Sequence, residues 1–113
     1  MAHLTLDIDE IDEHFIESIN SPNWLEATLR HVATETHATI IGVLRHQFQP
    51  QGATVLLLLS ESHLSAHSWP ERAQLRVDYY HCGQHARQRL EHAAELFIQT
   101  IPASKYKKTL FER

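Results

Sequence analysis

The sequence predicts an α+β fold, a two-layer α/β sandwich with a mainly antiparallel sheet and two helices on one face. Three observations carry this. Five stretches have strand character, and several are joined by links too short for βαβ crossovers. Two longer stretches carry an apolar stripe at helical spacing. The order is β-α-β-β-β-β-α, followed by a basic segment that is either an edge strand or a loose tail.

His3–Ile8 sets Leu4, Leu6 and Ile8 against Thr5 and Asp7, the alternation of a half-buried strand. Asp9–Glu17 is acidic and reads as irregular. Ser21-Pro22 opens a helix, with serine as cap and proline in the first turn. Leu25, Leu29, Val32 and Ala33 then form one apolar stripe. Thr39–Leu44, mostly β-branched and apolar, is a second strand, and Gln47–Ala53, with Pro50 and Gly52, is a loop.

Val55–Leu59 is an unbroken apolar run, which predicts a strand covered on both faces. Leu64–Trp69 is a fourth strand, the Pro70 region is a turn, and Leu75, Val77 and Tyr79 alternate along a fifth. Arg87–Ile101 is the second helix, with Leu90, Ala94, Phe97 and Ile101 on one face. Ala103–Arg113 is the basic terminal segment. With both helices on one side, the other face of the sheet needs a cover, most simply a second subunit.

At 113 residues the chain makes one domain, 1–113, with a small core. Its formal net charge of −4 argues against nucleic acid as the main partner. No apolar run approaches a membrane span, and the opening MAHLTLDIDEIDE lacks the basic and apolar regions of a signal peptide. One cysteine excludes an internal disulfide, so the cytoplasm is the expected compartment.

Chemistry-bearing side chains crowd into Leu59–Glu71, LSESHLSAHSWPE, with Cys82 just beyond. Ten histidines raise the question of a metal. His63 and His67, on a strand, stand about 13 Å apart at roughly 3.3 Å per residue, too far for one ion. No HExxH or CxxC occurs, and His85 and His92 read as solvated, so no metal is expected. Ser62 lacks the GxSxG elbow of a hydrolase. Taken singly, Cys82 is an ordinary small buried residue and Trp69-Pro70 a packed turn.

The combination resembles the prokaryotic S-adenosylmethionine decarboxylase family over most of the chain. The resemblance rests on His3-Leu4 with Asp7, the His46-x-Phe48-x-Pro50-x-Gly52 loop and Glu61-Ser62-His63. It also rests on His67-x-Trp69-Pro70-Glu71 and Asp78-x-x-x-Cys82-Gly83. It implies a self-cleaving proenzyme. The Ser62 hydroxyl attacks the Glu61 carbonyl and turns the peptide bond into an ester. A base then removes the Ser62 α-proton, the ester is eliminated, and the dehydroalanine left behind hydrolyses to a pyruvoyl group. The products are a β chain, 1–61, and an α chain, 62–113. His67 is the implied processing base, as imidazole titrates near neutral pH. Thr54 matches the family's supporting hydroxyl.

The self-made pyruvoyl group then forms a Schiff base with the substrate amine and accepts the electrons released with CO2. Cys82 matches the family's proton donor, and a thiol is protonated at neutral pH yet donates readily. Phe48 matches the residue that stacks on adenine and Glu71 the one that binds the ribose. The implied activity is S-adenosylmethionine decarboxylation for spermidine and polyamine synthesis. The implied assembly is a homodimer of processed αβ units with a small-molecule substrate.

Some positions depart from the pattern. Thr54 stands for serine and Val55 for the following glycine, and threonine is stiffer at χ1. Leu6-Asp7-Ile8-Asp9-Glu10 replaces an aromatic or glycine-cysteine continuation. Tyr79-Tyr80-His81 replaces an aromatic-threonine sequence before the cysteine. These departures leave two alternatives: a pyruvoyl-dependent decarboxylase of arginine or ornithine, or an unprocessed, non-catalytic homologue.

Overall fold

The computed structural model describes Met1–Arg113. Its strands are β1 (Ala2–Ile11), β2 (Ile40–Gln47), β3 (Ala53–Leu59), β4 (His63–Trp69), β5 (Gln74–His81) and β6 (Ala103–Glu112). The helices are a single turn α1 (Ile16–Ile19), then α2 (Pro22–Glu35) and α3 (Ala86–Thr100), with 3-10 turns at Glu13–Phe15 and Pro70–Arg72. One sheet runs β2-β3-β4-β5-β1-β6, and every neighbouring pair is antiparallel. The expected sandwich is borne out, and the basic terminus is the edge strand β6.

The helices start and pack as their sequences predict. The Ser21 hydroxyl accepts the Trp24 backbone N–H at 3.2 Å, and Pro22 occupies the first turn. Leu25, Leu29, Val32 and Ala33 of α2 and Leu90, Ala94 and Phe97 of α3 are buried against one sheet face. That face supplies Leu4, Leu6, Ile8, Val55, Leu57, Leu64, Leu75, Val77 and Tyr79. No helix is long and apolar enough to cross a membrane.

Two readings need correction. Asp9–Glu17 is not irregular: β1 continues through Asp9 to Ile11, and helical turns follow. The β6 edge supplies the reason, since Lys105 pairs with Asp9 and Ala103 with Ile11. Nor is β3 covered on both faces in the single chain. Val55, Leu57 and Leu59 are buried, but Leu56 is 39% and Leu58 56% exposed.

The open face is ordered by register. One row across the sheet reads His46, Thr54, His67, Arg76, Asp7 and Lys107. The row at the other end reads Gly42, Leu58, His63, Tyr80, His3 and Phe111. Leu44, Leu56 and Leu58 make its β2–β3 side apolar, while the centre is polar.

Candidate active site

The expected site residues fall into two groups at opposite ends of β4. The first surrounds the tight turn from β3 to β4. The Leu59 N–H donates to the Ser62 carbonyl at 2.9 Å, and the Ser60 N–H donates to Thr39 at 2.9 Å. Glu61 is thereby pushed into solvent, with Ser62 half-buried behind it. The Cys82 thiol donates to the Glu61 carbonyl oxygen at 3.2 Å. A small cleft of about 70 Å³ is lined by Glu61, Ser62, His81, Cys82 and Gly83, with His37–Thr39 opposite. Sequence spacing does not bring Cys82 to Glu61; the β4–β5 pairing does, by setting His63 opposite Tyr80.

The second group lies around the β2–β3 loop. Thr54 and His67 face each other across β3 and β4, and the hydroxyl and Nδ1 are 2.9 Å apart. Phe48 stands 48% exposed at the loop, packed edge-on against His46 with ring centres 4.6 Å apart. The Asn20 side chain anchors this loop, accepting the Gly52 N–H at 2.7 Å. Gly52 has φ +105°, and a Cβ there would lie 3.2 Å from the Ser68 carbonyl, so the turn calls for glycine. Phe48, Thr54, His67, Trp69 and Glu71 line a groove of about 490 Å³.

The two groups do not meet within one chain. His67 lies five residues beyond Ser62 on an extended strand, roughly 16 Å away. Ser62 and Cys82 therefore share one half-site, and Thr54, His67, Phe48 and Glu71 another, both on the rim of the open face.

Between them sits a triad that the spacing argument did not reach. Along β4 the only other histidine is His67. Across the strands, His63 meets His3 and Asp78 instead, with their ligand-type atoms within 4.8 Å of one another. Asp78 accepts from Nε2 of His63 at 2.9 Å through one oxygen and from Nε2 of His3 through the other. Both imidazoles thus carry the proton on Nε2, and Nδ1 of His3 is buried without a partner. Burial pushes the Asp78 carboxyl up, but the bonds from His3 and His63 outweigh it and hold it below its ordinary value. Period-two alternation could have placed the three on one face; the register that joins them is not readable from one sequence.

His81, one of the departures from the family pattern, lines the first cleft. It is buried, bonded to Thr36 and Gly83, and held below the usual imidazole range, chiefly by burial. Beside it, the neighbouring Cys82 thiol pushes the Tyr80 phenol up.

The S-adenosylmethionine decarboxylase family profile matches residues 2–113. The S-adenosylmethionine decarboxylase proenzyme of Prochlorococcus marinus (strain MIT 9313) is 35% identical over 111 residues, which cover 98% of this chain and 85% of that one. The crystal structure of the adenosylmethionine decarboxylase from Aquifex aeolicus VF5 superposes with a TM-score of 0.85 at 28% identity. It covers 99% of this chain and 88% of that one. The Trypanosoma brucei AdoMetDC-delta26 monomer aligns with a TM-score of 0.70 at 14% identity, over 96% of this chain and 45% of that one, a likeness of fold alone. These matches span both half-sites and the strands that carry them, and the chain belongs to the S-adenosylmethionine decarboxylase family.

Proposed function

We propose that this chain is a self-cleaving, pyruvoyl-dependent S-adenosylmethionine decarboxylase, working as a homodimer of processed αβ units in the cytoplasm and serving polyamine synthesis. The observation that carries it is the contact between the Cys82 thiol and the carbonyl of the Glu61–Ser62 bond, 3.2 Å long. That bond sits in an exposed turn, beside the hydroxyl that would attack it. The thiol polarises the carbonyl before cleavage, and the departure of Glu61 leaves its proton free for the substrate. A turn with a serine hydroxyl, an accessible carbonyl and a thiol at its mouth fits the precursor of a pyruvoyl group. Such a ketone would supply a carbonyl for a substrate amine and a sink for the electron pair released with CO2.

Completing the site takes a second copy. Two open faces packed about a two-fold axis across the strands set one end of each sheet over the other end of its mate. The Ser62–Cys82 half-site of one copy then meets the Thr54–His67 half-site of the other. Exposed Leu44, Leu56 and Leu58 give this face the apolar surface such packing buries. His67, oriented by Thr54, acts as the processing base on the neighbouring Ser62. Phe48 offers a ring face to adenine and to the sulfonium, and Glu71 accepts from the ribose hydroxyls.

Denaturing mass analysis of the purified chain should give two fragments, 1–61 and 62–113, and Ser62→Ala should give one intact chain. The cleaved protein should release CO2 from S-adenosylmethionine and not from arginine or ornithine in parallel assays. Turnover of arginine or ornithine alone would reassign the substrate.

A further inference from the structure

We infer that His81 is a positioning residue: its ring is a strut that holds the Cys82–Gly83 turn, and with it the Cys82 thiol, in line for proton delivery. The inference rests on the proposed role of Cys82 as donor. β5 alternates Leu75, Val77, Tyr79 and His81 toward the helices, so the His81 ring points inward at the end of the strand and is 5% exposed. Its Nδ1 accepts the Gly83 N–H at 3.1 Å. The ring proton therefore sits on Nε2, which donates to the Thr36 carbonyl at 3.1 Å.

Thr36 is itself fixed. Its hydroxyl donates to the Val32 carbonyl at 2.7 Å and lies 2.7 Å from the Tyr79 hydroxyl. The ring thus spans from the end of α2 to the residue after Cys82. Gly83 is matched to it, since a Cβ at that position would lie 2.9 Å from Cε1 of His81. Leucine in place of His81 leaves the Gly83 N–H without this acceptor.

Only the neutral ring makes both bonds. A proton on Nδ1 would turn the acceptor into a donor facing the Gly83 N–H. Burial pushes the ring below the ordinary histidine range, while the Thr36 carbonyl acts the other way. Arg89 of α3 and His37 beyond α2 also lower it, and Glu61 raises it. The strut is therefore intact through neutral pH and gives way only as acid reaches the lowered value.

The first arm of the test needs no cofactor. In Ser62→Ala protein, hydrogen exchange at the Gly83 amide should speed up on the order of ten-fold with His81→Leu and stay near the parent rate with His81→Asn, whose side-chain oxygen can stand in for Nδ1. The second arm uses cleaved enzyme. A misplaced donor lets the proton reach the cofactor's carbon instead of the substrate's. Water would then release the substrate as an aldehyde and leave the chain with an amine in place of its ketone, with no outside reductant involved. Mass analysis of the α chain counts these events per CO2 released.

His81→Leu should raise that ratio on the order of ten-fold, toward the value for Cys82→Ala, and His81→Asn should restore most of the parent ratio. The parent ratio should climb in acid, and that of His81→Asn should not. Unchanged Gly83 exchange in His81→Leu, or a flat acid profile in the parent, would overturn the strut. If Cys82→Ala itself kept the parent ratio, the donor assignment would fall and the strut's purpose with it, whatever Gly83 exchange showed. Should His81→Leu fail to fold, the acid profiles of the parent and His81→Asn decide alone.

Discussion

The Thr54 hydroxyl, not its methyl, makes the contact with His67. Its Oγ1 lies 2.9 Å from Nδ1 of His67, which leaves Nε2 as the nitrogen available for the proposed role as base. Thr54→Ser should keep the self-cleavage rate, and Thr54→Val, of the same shape, should slow it on the order of ten-fold in a mass-resolved time course. Asp78 gives a second test at this scale. Its folded value is lowered, so its contribution to stability is present above the ordinary carboxylate value of 3.8 and fades as pH falls through the folded one. Melting temperature should drop below about pH 4 in the parent, and that part of the drop should be missing in Asp78→Asn. The sequence named Ser62, His67 and Cys82 by motif. It could not name His3, His63 and Asp78 as a unit, because their meeting depends on the register of β1, β4 and β5.

Elements were legible where one period ruled. The stripe Leu25, Leu29, Val32 and Ala33 is buried as its spacing requires, and Leu29 is fully enclosed. Leu29→Ala should cost about 3 kcal/mol in a denaturant titration, the usual range for a buried leucine. Legibility failed where composition and position disagreed. Val55–Leu59 is apolar throughout, so its sequence gives no sign that Leu56 and Leu58 lie on the side without helices. Asp9 and Glu10 look like loop residues, but pairing with β6 keeps β1 going to Ile11.

The whole molecule is where the two half-sites become a consequence of shape. Both lie on one sheet face, roughly five residues of strand apart, so under the proposed roles a copy alone would hold Ser62 out of reach of His67. Mixing two inactive variants tests this. His67→Ala and Ser62→Ala should each remain uncleaved, but when co-expressed the His67→Ala chain should be cut by its mate. If His67 serves its own chain, co-expression changes nothing. Leu58→Glu, at the apolar end of the open face, should give monomers by sedimentation and slow cleavage together.

The strand order β2-β3-β4-β5-β1-β6 has one more outcome. A chain opened between Glu61 and Ser62 leaves β1, β2 and β3 on one piece and β4, β5 and β6 on the other. Across the sheet the pieces alternate: two strands of the first, two of the second, then β1 of the first and β6 of the second. Three seams of backbone hydrogen bonds cross between the pieces, and β1 is wedged between strands it no longer shares a chain with. The cut therefore frees two chain ends without freeing either piece, and the nicked protein should run as one body until it is unfolded.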